Sequence, residues 1–134
     1  MPQAIGTFEV RVVPQKPDSE VAESARLGRM SLDKTFNGDL EATSKGEMLS
    51  AMSEVKGSAG YVAMERVTGA LHGRSGSFVL QHTGTMTRGE PQLRVMVVPD
   101  SGTGDLAGLT GNLTIRVEDG KHSYEFDYSL PEEA

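Results

Sequence analysis

The chain has 134 residues, carries a net charge of −6 and contains no cysteine. A chain of this length suits one domain, which we expect to span residues 1–134, and the missing cysteines exclude disulfides, thiol nucleophiles and thiolate metal sites. Because the basic residues are interspersed with acidic ones, we expect no binding to nucleic acid or to an anionic membrane surface.

The N-terminal part of the chain predicts two strands, because apolar residues alternate with polar ones over 8–12 and again over 30–36. Pro14 and Pro17 should end the first strand, since proline has no N–H to donate to a sheet. The polar segment 15–25 predicts a loop with at most one helical turn. The dipeptide Asn37-Gly38 predicts a two-residue type I′ hairpin after the second strand.

Three further strands are predicted in the middle of the chain. Residues 40–50 alternate small and polar side chains. Residues 60–71 and 77–87 form a hairpin, whose turn we place at Arg74-Ser75-Gly76. Gly89-Glu90-Pro91 predicts the turn that follows.

A glycine-rich stretch separates the last three strands. Residues 93–97 predict a strand, and the segment 101–111 after it contains four glycines. This segment should form a compact corner, since Leu106 and Leu109 can anchor it. Its glycine spacing and the lack of a following helix exclude a dinucleotide or P-loop phosphate site. The two final strands should form a hairpin around Asp119-Gly120.

The sequence therefore predicts an all-β protein with about eight strands and at most one short helix. Such a meander leaves exposed edges unless it closes on itself, so we expect a closed antiparallel eight-stranded barrel. A barrel of this size is filled by side chains or holds one small ligand.

Sequence signals for secretion, membrane insertion and metal binding are not found, and this bears on the location and the cofactors that we expect. The N-terminal residues lack the basic and apolar regions of a secretory signal, and no apolar run approaches the roughly 20 residues of a membrane helix. We therefore expect a cytoplasmic protein. No histidine lies at a spacing typical of metal ligands, so we expect neither a metal nor a cofactor.

Three stretches carry a resemblance to a known family: 38–41, 74–86 and 98–111. Together they resemble a family of small bacterial proteins of unknown function that is assigned to the allene oxide cyclase-like barrels. The glycine corner also resembles that of plant allene oxide cyclases and dirigent proteins. The resemblance implies an eight-stranded barrel with an apolar ligand in its lumen, and it implies a homo-oligomer. No catalytic residue of the plant enzymes falls on a matching position here.

A histidine and a charged pair interrupt the inward apolar faces. His82 shares its strand face with Phe78 and Leu80, so it should point into the lumen, either as a satisfied core histidine or as an acid or base toward a ligand. Glu65 and Arg66 are adjacent, so one of them points inward, but the sequence does not decide which. An inward Glu65 is either a general acid or base near His82 or part of a structural ion pair with Lys34 or Arg94.

Three further side chains can reach the lumen. Lys34 interrupts an apolar face and either points inward or extends to the barrel rim. Tyr124 and Tyr128 share an inward face and offer hydroxyl groups to an apolar lumen. The candidate catalytic residues are Glu65 and His82. The predicted ligand-binding residues are Lys34, Glu65, Phe78, His82, Tyr124 and Tyr128.

Three functional hypotheses follow from these residues. The first is a barrel that binds a small apolar metabolite in its lumen. The second is a cofactor-independent isomerase or cyclase that uses Glu65 or His82 for proton transfer. The third is an assembly module whose outer face over residues 40–50 packs on a copy of itself. The sequence does not decide whether the protein is an enzyme.

Overall fold

The computed structural model describes residues 2–131 and shows a closed antiparallel barrel in which each strand pairs with the next and the last pairs with the first. Between the first two strands lies a short helix, α1, and a single 3-10 turn precedes the seventh strand. Neither helix in this part of the chain is long and apolar enough to cross a membrane. The strands are β1 Gln3–Gln15, β2 Gly28–Gly38, β3 Leu40–Met52, β4 Ala59–Leu71, β5 Arg74–Thr87, β6 Glu90–Val97, β7 Thr110–Glu118 and β8 Lys121–Ser129; α1 is Glu20–Ala25 and the 3-10 turn is Gly104–Leu106. The predicted fold class is confirmed.

Three hairpins close through two-residue turns in which both residues have positive φ, as a type I′ turn requires. The turn at Asp119-Gly120 (φ 52° and 77°) was predicted. The turns placed at Arg74-Ser75-Gly76 and Gly89-Glu90-Pro91 are wrong, because the chain turns at His72-Gly73 and Arg88-Gly89 instead. In the two turns that were not predicted, histidine or arginine stands in the left-handed position before the glycine, where asparagine or aspartate is the usual signal.

The strand limits differ from the prediction at two places. Pro14 does not end β1: it pairs with Met30 of β2, and β1 pairs with β8 only as far as Phe8, so one edge of the strand at Pro14 has no ladder to break. The connection after β2 is not a two-residue hairpin. The last β2–β3 pair is Phe36 with Ala42, and only Gly38 has positive φ there.

One end of the barrel is closed by the glycine corner. Leu106 and Leu109 are fully buried there, so the prediction that they anchor a compact corner is confirmed. Gly102 is required in this corner, because a methyl group on it would lie 1.9 Å from the carbonyl oxygen of Leu106. The corner is held to β5 by a hydrogen bond from the Thr103 amide to the Ser77 carbonyl, 2.8 Å long.

The opposite end of the barrel is open. Strand alternation points several apolar side chains toward the interior at this end, yet they are 40–60% exposed. Nothing within residues 2–131 covers them as the glycine corner covers the other end. The exposed inward positions are Val12, Met86, Leu93 and Val117, and Met52 at the end of β3 lies in the same alternation and is 85% exposed.

Candidate functional site

Four polar side chains lie buried in the barrel interior, one from each of four consecutive strands. Their relative exposures are 5% for Lys34, 1% for Ser44, 1% for Glu65 and 3% for His82. Buried charged groups are rare unless they are paired, so the arrangement of these four determines what the interior can do.

The four side chains meet because of the strand register. Lys34 lies opposite Ser44, and Glu65 lies opposite Gly46, two residues further along β3. Gly46 lets β4 approach: a methyl group on it would lie 2.7 Å from the Cβ of Glu65. His82 is diagonal to Glu65 on β5, within reach of a long side chain.

Both carboxylate oxygens of Glu65 are engaged. Oε1 lies 3.1 Å from Nε2 of His82 and 3.2 Å from Nζ of Lys34. Oε2 accepts from the Ser44 hydroxyl at 3.0 Å and lies 3.1 Å from the same Nζ. The open choice between Glu65 and Arg66 is therefore decided: Glu65 faces inward and Arg66 is exposed. The partner of Glu65 is Lys34, whereas Arg94 is exposed.

The electrostatics of this group keep Glu65 ionised. Burial by itself raises the pKa of Glu65, but the hydrogen bonds and charges of His82 and Lys34 together outweigh it, so the pKa lies below its usual value. Since Lys34 already balances this charge, the four side chains are electrically neutral when the imidazole is neutral. An ionised carboxylate has no proton to donate, so Nε2 of His82 donates to Oε1.

Lys34 does not extend to the rim. Its Nζ lies 5.1 Å from the ring centre of Phe8 and 5.9 Å from that of Phe36, both on the inward face. These rings add cation–π attraction to the ion pair with Glu65, which favours the inward position of the ammonium group.

The remaining predicted site residues lie elsewhere in the interior. Phe78 stacks on Phe126, with ring centres 5.9 Å apart. Tyr124 accepts a hydrogen bond from the Leu40 amide and donates to the Asn37 carbonyl, both at 2.9 Å, so its hydroxyl holds the β2–β3 connection.

Tyr128 is separate from the buried group as well. Its hydroxyl contacts Nδ1 of His72 beside the β4–β5 turn, at the closed end of the barrel. Lys34 and Ser44 therefore lie next to Glu65 and His82, whereas the two tyrosines do not.

Two contributors at this site were missed in the sequence. Ser44 lies in the segment 40–50, where small side chains alternate with polar ones, and Tyr61 lies in the strand predicted over 60–71; this alternation marks neither of them as a site residue. Tyr61 packs over Gly84, where a methyl group would lie 2.3 Å from its ring carbon Cε1. Burial, and then the negative charge of Glu65, raise the pKa of Tyr61. The pairing of a large aromatic with a glycine on the neighbouring strand was the available signal.

Two depressions lie near the open end, and neither is lined by Glu65 or His82. One, of about 780 Å³, runs across β3–β6, and its lining combines the outward, exposed residues Leu49, Val62 and Arg94 with the inward positions Tyr61 and Leu93. The other, of about 470 Å³, lies where β1 separates from β8, beside Phe8 and His122.

No three His, Asp or Glu side chains within residues 2–131 are grouped so that they could hold a metal ion. The interior therefore offers a hydrogen-bonded ion pair with an attached imidazole, surrounded by apolar walls.

Comparison with known proteins places the chain in a family. The model of a protein family of unknown function, DUF3224, matches residues 4–128. A crystal structure of a protein of unknown function from this family, from Shewanella oneidensis MR-1, is 51% identical and superposes with a TM-score of 0.91, covering 99% of each chain. No curated protein matches the chain. The chain therefore belongs to the DUF3224 family of proteins of unknown function.

Proposed function

We propose that this protein binds a small, largely apolar molecule at the open end of its barrel, above the buried Lys34–Glu65–His82 group. The observation that carries the proposal is the exposure of inward-facing apolar side chains at that end. A protein interior is normally close-packed, so inward apolar residues left in water at one end form a surface suited to an apolar ligand.

The barrel wall gives such a molecule room to enter. β6 pairs with β7 only at Val95–Leu113 and Met96–Asn112, and β1 pairs with β8 only up to Phe8–His122. The β7 edge of the β7–β8 hairpin therefore has no ladder partner beyond Leu113, whereas β8 is paired with β1 as far as His122, next to the turn. A strand with one free edge can move more easily than a strand that is paired along both edges.

Methionines at the open end support a ligand of adaptable shape. Met30 and Met48 are directly paired on the inward face, and Met86 lies at the rim. Methionine is flexible and polarizable, and it is common on surfaces that bind varied apolar partners.

The test is titration with an apolar fluorescent probe, using wild-type protein and two matched variants. Met86 and Met96 are similarly exposed, at 40% and 38%, but Met86 faces the interior and Met96 the outside. Met86→Asp should weaken binding of the probe at least tenfold, whereas Met96→Asp should leave it unchanged. Equal effects of the two variants, or no binding by the wild type, would contradict the proposal.

The other sequence-based expectations remain proposals. The likeness of the glycine corner to allene oxide cyclases adds only the general idea of a barrel ligand. A cytoplasmic location is likewise a prediction from the sequence. Proton transfer by Glu65 has less support than binding, because both of its oxygens are occupied by protein donors.

A second candidate role is assembly with another copy of the chain. The outer face of β3 and β4 exposes Leu49, Val62 and Met64, about half of each side chain. Glu47 beside this row is already paired with Arg29 at 2.7 Å, so the apolar row is the part of this face that a second copy could cover.

Sedimentation of the purified protein tests this assembly. We expect an oligomer at micromolar concentration that Val62→Asp dissociates and Val117→Asp, at the barrel mouth, does not. A wild-type monomer would remove the basis for this role.

A further inference from the structure

One nitrogen of the buried group is not used by the protein. Nδ1 of His82 has no hydrogen-bond partner among residues 2–131, whereas Nε2 is bonded to Glu65. Every fully buried side-chain nitrogen or oxygen in this part of the chain has a partner. Nδ1 is therefore not sealed, and although the residue as a whole is 97% buried (3% exposed), this one atom borders accessible space.

The protonation of this nitrogen follows from its neighbours. Nε2 carries a proton, because it donates to an ionised carboxylate. With the ring proton on Nε2, Nδ1 of this tautomer has a lone pair that accepts a hydrogen bond.

We infer that His82 Nδ1 is the polar anchor of the barrel and accepts a hydrogen bond from the ligand, so that the ligand is an apolar molecule bearing an O–H or N–H donor. This inference rests on the proposed function. Glu65 is a positioning residue in this arrangement, since it holds the ring orientation and the tautomer through Nε2, as a carboxylate commonly does for a functional histidine.

An accepting nitrogen at Nδ1 argues against two other classes of ligand. A carboxylate or an ether oxygen brings only acceptors to Nδ1, and two acceptors do not bond. A pure hydrocarbon leaves Nδ1 without a partner when it displaces water, which costs free energy. A hydroxyl group supplies the missing donor.

The experiment compares three probes of nearly equal shape: naphthalene, 1-methoxynaphthalene and 1-naphthol. We expect 1-naphthol to bind about 3- to 10-fold more tightly than 1-methoxynaphthalene, as one net hydrogen bond implies. In His82→Phe the difference should disappear while both probes still bind.

A measurement on the wild-type protein keeps the test independent of whether this variant folds. In nitrogen NMR of histidine-labelled protein, His82 should show a protonated Nε2 and an unprotonated Nδ1, and 1-naphthol alone should shift the Nδ1 resonance. Equal binding of all three probes with no Nδ1 shift would overturn this inference and leave the proposed function standing. Failure of every probe to bind would overturn both.

Discussion

Lys34 on β2 and Glu65 on β4 form an ion pair inside the barrel, with Nζ 3.1 Å from Oε2, although β3 lies between their strands. They reach each other because the β3 positions beneath them are Ser44 and Gly46, which are too small to separate them. Ser44 also donates to the pair. A pair of charges this deep is stable only while both partners remain.

Removing one partner should be more harmful than removing both. Lys34→Met or Glu65→Gln leaves the other charge without its buried counter-charge, and each should lower the free energy of unfolding by about 3–5 kcal/mol. The double variant leaves no unpaired charge, so it should be more stable than either single variant. Chemical denaturation of the four proteins measures the coupling. Additive losses would show that the pair does not act as a unit.

The ion pair also makes the free energy of unfolding depend on pH. The pKa of Glu65 is lower in the folded protein than its ordinary value of 4.5, so its contribution is fully present above about pH 4.5 and is lost as the pH falls through the folded pKa. Between pH 7 and pH 3 the wild type should therefore lose more stability than the Lys34→Met/Glu65→Gln double variant. The other carboxylates are common to both proteins and serve as the internal control. Parallel losses would refute this assignment.

Gly46 should be required for the same site. Its added methyl group would lie 2.2 Å from the Met64 carbonyl oxygen, so Gly46→Ala must displace β4 beneath Glu65. We expect a loss of about 1–3 kcal/mol, as for other overpacked positions. Gly60 is the matched control, because the nearest atom to its methyl group would be 3.8 Å away. Thermal unfolding of both alanine variants measures the difference, and comparable losses would contradict crowding at Gly46 as the cause.

The two interior tyrosines should differ in what their hydroxyls contribute. Tyr124→Phe leaves the buried Leu40 amide without its acceptor and should cost about 1–3 kcal/mol. Tyr128→Phe removes a contact with the half-exposed His72, whose ring water can solvate, and should cost less. Denaturant unfolding of the two variants compares them directly. A larger loss for Tyr128 would contradict the structural role given to Tyr124.

The sequence predicted which residues face the interior better than it predicted which of them lie together. Alternation along single strands correctly placed His82, Tyr124 and Tyr128 on inward faces. The same rule could not say how far each lies along the barrel axis, and the tyrosines prove to contact the closed end while His82 lies with Glu65. Height along the axis depends on the stagger between strands, which no single strand encodes.

The barrel follows from the sequence alone, because eight alternating segments with short polar connections satisfy their edges by closing, and the leucines of the glycine corner need burial. The interior chemistry depends on how the strands pair. Glu65 and Arg66 are equally placed by alternation, and the β3–β4 register alone turns Glu65 inward, over Gly46. Register is a property of paired strands, since a slip of one residue exchanges the two faces.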